Sequence, residues 1–197
     1  MRLYERRLQS CKISPLVFMS DPERVPDVVR AARALPEGST LIYRHFGNKD
    51  KVVTARALRQ IAFARNLQFL IGQDVELAAQ IGAAGVHLPE RELGRGAELR
   101  QKYPDWLMTG AAHSSDAVKI SANNKLDAAI VSPIFVSDSK SACKPMGVTA
   151  FANIATKTNV PIIALGGISS ENVEKLYDSG AAGIAGVSMF SGGCHDQ

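Results

Sequence analysis

The stretch IIALGGISSENVEKLYDSGAAGIAGVS, residues 162–188, decides the fold. It holds a short apolar run at 162–165, the glycine pair Gly166-Gly167, a helix-like segment at 170–179 and a second apolar run at 184–187. Buried parallel strands read as short continuous apolar runs because helices cover them from outside. A strand, a helix and a strand in that order predict a βαβ crossover. The same unit recurs toward the N-terminus. Further strands are predicted at 16–19, 40–43, 69–71, 86–88, 106–108 and 128–131, making eight in all. Helices are predicted at 22–35, 50–66, 75–83, 96–102, 115–121 and 149–156. Eight such units predict an α/β fold, a short closed (β/α)8 TIM barrel, as one domain over residues 1–197. Residues 1–14 read as an N-terminal extension and 191–197 as a C-terminal tail too short for a full closing helix. The last helix is therefore expected to be truncated, with the extension or a partner subunit of a homo-oligomer covering the gap. The runner-up, a doubly wound open sheet, lacks the Gly-x-Gly-x-x-Gly run that a dinucleotide-binding sheet carries after its first strand.

Composition narrows the function. The chain has 197 residues, 46% hydrophobic and 21% charged, which supports one sizeable core and argues against disorder. No run approaches the ~20 apolar residues of a membrane span. The interleaved charges of MRLYERRLQSCK do not read as a secretory signal. Three widely spaced cysteines (Cys11, Cys143, Cys194) form neither a disulfide framework nor a zinc motif. A cytoplasmic location is expected. The net charge of +4 comes from basic residues scattered among acidic ones. Nucleic-acid binders gather them on a stripe with aromatics, so neither nucleic acid nor membrane is expected as a partner. A mild positive excess suits small phosphorylated substrates.

In such barrels the chemistry sits on loops after the strands' C-terminal ends, and phosphate often binds after the seventh and eighth strands. Gly166 and Gly167 let the backbone approach a bound group and expose amides, while Ser169 or Ser170 can cap the next helix. Gly167, with Val187 and Ser188 at the eighth strand's end, therefore reads as a phosphate cradle. The loop running from Ser132 to Gly147 is long enough to point to function. Its Ser137, Ser139 and Lys140 can surround an anionic oxygen cluster. His87 reads as a hydrogen-bonded core histidine. His113 precedes a helix cap, and His45 is a weak candidate beside Arg44. The four histidines form no metal motif.

In this order, the segments GAAGVHL (82–88), SPIF with Ser137-x-Ser139-Lys140 and Gly147, ALGGI (164–168) and GAAGIAGVS (180–188) resemble the thiamine phosphate synthases and the related thiazole tautomerase-like proteins. The resemblance runs from about Leu16 to Phe190. It implies joining of hydroxymethylpyrimidine diphosphate to hydroxyethylthiazole phosphate with release of pyrophosphate, helped by magnesium. Carried over by position, it assigns Ser137, Ser139, Gly166, Gly167, Val187 and Ser188 to the thiazole phosphate, and Arg44 and Lys140 to the diphosphate as catalytic cations.

The departures fall on one side. The synthases' Gln-x-Arg-x-Lys after the second strand becomes Ile42-Tyr43-Arg44-His45-Phe46, and their Asn-Asp-Arg after the third becomes Gly72-Gln73-Asp74. The second metal aspartate is replaced by Glu92, expected to hold magnesium through a longer arm, with Asp74 or substrate oxygens completing the site. Ala111 stands where a serine is usual. Tautomerases of this group place a histidine where this chain has Pro133. The expected activity is thus that of a divergent synthase. The alternatives are a thiazole tautomerase-like enzyme, or a non-catalytic binder or regulator of thiamine-related phosphates.

Overall fold

A computed structural model describes residues 11–137 and 144–188. Its centre is a closed parallel barrel in which the strands follow one another in chain order. The strands are β1 (Leu16–Met19), β2 (Thr40–Tyr43), β3 (Gln68–Gly72), β4 (Gly85–Leu88), β5 (Leu107–Ala112), β6 (Ala128–Val131), β7 (Ile162–Leu165) and β8 (Gly183–Gly186). Closure is made by β8 on β1, with Leu16, Val17 and Phe18 opposite Ile184, Ala185 and Gly186. Every residue of β2, β4 and β6 is buried, as strands covered on both faces must be.

The helices are α1 (Val28–Ala34), α2 (Lys51–Ala64), α3 (Val75–Ile81), α4 (Gly96–Lys102), α5 (Ser115–Asn123) and α6 (Gly147–Ala155). Their ends follow local chemistry. Asp74 caps α3 by accepting from the Leu77 amide at 2.9 Å, and Gly82 ends it in the left-handed region at φ 64°. Ser114 caps α5 through the Ala117 amide at 3.2 Å.

Three predicted elements differ. The first helix starts at Val28 rather than at residue 22, because Pro26 disfavours helical backbone just before it and Asp27 then caps the turn through the Arg30 amide. The fifth strand runs on to Ala112, carried by small residues that pair with β4 and β6. Its predicted first residue, Trp106, instead stacks on Tyr103 at 3.7 Å. The helix predicted at 170–179 is only a 3-10 turn, Val173–Leu176. Neither Ser169 nor Ser170 caps it. Asn172 ties the loop back, donating to the Gly167 carbonyl at 2.8 Å and accepting from the Ser169 amide at 2.9 Å.

At the strands' N-terminal end, the last residues of the N-terminal extension run across the barrel. Ile13 is buried there, the Ser14 amide donates to Gln68 Oε1 at 2.9 Å, and Pro15 accepts from the Ile184 amide at 2.8 Å. The C-terminal tail, 191–197, lies outside the described residues. No helix among the described residues is long and apolar enough to cross a membrane.

Candidate active site at the barrel mouth

The C-terminal ends of the strands surround a cavity of about 510 Å³. Arg44, Ser137, Gly166, Gly167, Val187 and Ser188, drawn from four separate loops, all line it. Ser139 and Lys140 lie outside the described residues.

The glycine pair is built by close approach. Gly166 and Gly167 have φ of 103° and 64°, a region that side chains rarely adopt. The loop after β6 packs directly on them: the Ile134 amide donates to the Leu165 carbonyl and the Phe135 amide to the Gly166 carbonyl, each at 3.0 Å. A Cβ at Gly166 would sit 2.9 Å from Pro133, and one at Gly167 would strike the Val136 carbonyl. Among the described residues no backbone carbonyl takes the Gly167 N–H. With its carbonyl held outward by Asn172, that amide is a donor available to an anion.

Arg44 follows β2 and is held at several points. Its backbone amide donates to Ser20 Oγ at 2.7 Å and its Nε to the Ser20 carbonyl at 2.8 Å. Its stem lies over Gly72, where a Cβ would come within 3.0 Å of Arg44 Cγ. The guanidinium carbon sits 5.0 Å from the centre of the Phe46 ring. Nη2 is buried, has no hydrogen-bond partner and lies 3.6 Å from Asp21 Oδ2. Burial lowers the Arg44 pKa, with Asp21 opposing and the Arg24 charge adding to the fall.

Four lining residues were missed or given a lesser role in the sequence reading. Arg24 lines the cavity from the loop after β1, within the stretch predicted as the first helix. Gln73 lines it too, with a left-handed φ of 65°. His87 is a hydrogen-bonded core histidine as expected, with Nδ1 2.9 Å from Thr109 Oγ1, yet it also forms part of the cavity floor. Burial, helped by the charge of Arg44, pushes its pKa down to about 3, so the ring is neutral. His113 stands beside the cap as expected, and it also faces the cavity. Its Nδ1 lies 2.8 Å from the Ser132 carbonyl. A carbonyl only accepts, so Nδ1 donates in this contact and Nε2 is the ring nitrogen left for another partner. The signal was position: His113 directly follows β5.

Glu92 is displaced from this site. It lies in a neighbouring cavity of about 590 Å³, together with Asp74, His45 and Lys51. Its carboxylate takes Arg95 Nη1 at 2.7 Å and stands 3.4 Å from Arg91. Asp74, besides capping α3, takes Lys51 Nζ at 2.6 Å and stands 3.3 Å from His45 Nε2. Burial opposes its ionisation, but the hydrogen bonds from Lys51 and the Leu77 amide and the nearby positive charge hold its pKa below the ordinary value. Magnesium relies on one or two free carboxylates plus phosphate oxygens. Here Asp74 and Glu92 are held by cations, and although Glu76 also lines that cavity, no three metal-ligating side chains cluster among the described residues. This donor set does not fit a protein-held magnesium ion.

The architecture is that of a (β/α)8 barrel with its site on the βα loops. Residues 16–190 match the family model for thiamine monophosphate synthase. The chain is 32% identical over 138 residues to a thiamine-phosphate synthase of Lysinibacillus sphaericus, covering 69% of this chain and 64% of that protein. It is 27% identical to the thiamine-phosphate synthase of Prochlorococcus marinus over 98% of this chain and 55% of that protein. The chain thus spans about half to two thirds of the length of these two relatives. Among solved structures it resembles a thiamine phosphate pyrophosphorylase from Pyrococcus furiosus, with a TM-score of 0.77 at 20% identity, covering 93% of this chain and 88% of that one. The chain belongs to the thiamine monophosphate synthase family.

Proposed function

We propose that this chain is a thiamine phosphate synthase that joins hydroxymethylpyrimidine diphosphate to hydroxyethylthiazole phosphate. The observation that carries this reading is the convergence of Arg44 with the loops after β6, β7 and β8 on one cavity, in a member of this family. The reaction breaks the bond between the pyrimidine's methylene carbon and the diphosphate oxygen, and the electron pair leaves with pyrophosphate. The thiazole nitrogen then gives its lone pair to that carbon, forming the thiazolium. Such chemistry needs fixed positive charge at the leaving group more than a base.

The Gly167 amide, Ser137 and Ser188 hold the thiazole phosphate, with Gly166 and Val187 shaping the cradle. Arg44 faces the diphosphate, and the family resemblance assigns Lys140 to the same group. His87, neutral on the cavity floor, presents no charge to the pyrimidine cation. No step is assigned to a metal.

One observation favours a second reading, a thiazole tautomerase-like activity. His113 bonds the carbonyl of Ser132, next to the position of Pro133, where the tautomerases carry their histidine. Its Nε2 could take a thiazole proton and return it at another carbon.

The test combines purified chain with both substrates and follows pyrophosphate and thiamine phosphate. Formation of both supports the synthase. Interconversion of thiazole isomers without joining supports the tautomerase and overturns the synthase. Binding of the thiazole phosphate with neither reaction overturns both.

A further inference from the structure

We propose that Arg24 and Arg44, bridged by the single carboxylate of Asp21, form a clamp that takes the diphosphate group without a divalent cation; the inference deepens the synthase reading and rests on it.

The charges at the mouth favour an anion. Two guanidiniums line the cavity, and among the described residues no carboxylate does. Asp21 sits behind them. Its Oδ2 takes Arg24 Nη2 at 3.1 Å and Nε at 3.3 Å, and stands 3.6 Å from Arg44 Nη2. One negative charge therefore holds two positive ones, leaving a net positive charge aimed at the cavity. Burial opposes ionisation of Asp21, yet the Arg24 side chain and the Glu23 and Arg24 amides keep its pKa below the ordinary value.

The two arginines divide the work. Arg44 is fixed by Ser20, Gly72 and Phe46, and its buried Nη2 lacks a hydrogen-bond partner. Nη2 stands against Asp21, and because Arg44 lines the cavity its fixed charge acts on a phosphoryl group bound there. Arg24 is more exposed, on a loop, and can turn its planar fork from Asp21 onto a second phosphoryl group. Once Arg24 has turned onto the bound diphosphate, the fixed and the mobile cation together stabilise a departing pyrophosphate as a metal would. The carboxylates next door make no metal site: Asp74 and Glu92 are engaged by Lys51, His45, Arg91 and Arg95, and together with Glu76 they form no metal-ligating cluster among the described residues.

Calorimetric titration of inorganic pyrophosphate into the full chain tests this, once in excess EDTA and once with magnesium. The expected affinities agree within about threefold. Arg24→Ala should weaken pyrophosphate binding about tenfold or more, and Arg24→Lys should restore only part of it because an ammonium lacks the planar fork. Circular dichroism on both variants verifies that the fold is kept. Binding that appears only with magnesium, binding under neither condition, or an Arg24→Ala chain that binds as well as the parent overturns the clamp. Metal-independent pyrophosphate binding without synthase turnover would leave the clamp standing and remove the synthase reading. Turnover with strictly magnesium-dependent binding would do the reverse.

Discussion

At Gly167 the backbone sits at φ 64° with the loop after β6 pressed against its α-carbon. Any side chain there must either strain the backbone or push Phe135 and Val136 away, and both routes disturb the cradle. Gly167→Ala is expected to cost about 1–3 kcal/mol of stability and to weaken thiazole-phosphate binding about tenfold, measured by denaturant unfolding and calorimetry. His87 makes a different residue-scale claim, about pH. Its folded pKa of about 3 lies below the ordinary 6.5, so the unfolded chain binds a proton that the fold refuses. The stability tied to this group is full above pH 6.5 and is lost as pH falls toward 3. Replacing it by His87→Gln removes that titration while keeping a group able to bond Thr109. The slope of unfolding free energy against pH within this window should then fall by up to one proton, about 1.4 kcal/mol per pH unit. An unchanged slope would mean that His87 is protonated within the fold.

At the scale of elements, α3 shows how one side chain can be withdrawn from chemistry by the helix it starts. Asp74 caps that helix and also accepts from Lys51. Asparagine caps about as well as aspartate but carries no charge. Asp74→Asn should therefore keep the cap and lose only the Lys51 ion pair, whereas Asp74→Ala should lose about 1 kcal/mol more, as thermal unfolding would show. The strands were largely legible because buried parallel strands announce themselves as apolar runs. That the loops after β6, β7 and β8 meet at one cavity was legible from their place after the strands' C-terminal ends. Three things were not. Asn172, by binding the Gly167 carbonyl, holds the chain where a full helix was predicted, and side-chain-to-loop bonds leave no periodic trace. Arg24 reaches the cavity from beyond a turn, and only coordinates show which way such a loop folds. Glu92 falls after the right strand, but the arginines on either side of it, Arg91 and Arg95, capture its carboxylate, which spacing alone does not reveal.

On the scale of the whole molecule, the barrel separates its two ends. The candidate binding groups line the cavity at the C-terminal mouth, and the opposite end is tied by residues that do not line it. Gln68, at the start of β3, accepts from the Ser14 amide at 2.9 Å and from Thr40 Oγ1 at 2.7 Å, and donates through Nε2 to the Lys12 carbonyl at 2.7 Å. It thus joins the incoming segment to two strands. Ile13 fills the same end and is 2% exposed. If the ends are energetically separate, damage here should lower stability and leave binding intact. Gln68→Leu strands two partially buried partners and should cost about 1–3 kcal/mol, and Ile13→Ala should cost about 2–4 kcal/mol for lost burial and the cavity left behind. Both variants, still folded at low temperature, should bind pyrophosphate within about twofold of the parent. A matched loss of affinity would show that closure of the strand ends at the bottom sets the spacing of the loops at the top, so that the mouth is held by the whole barrel rather than by its own loops.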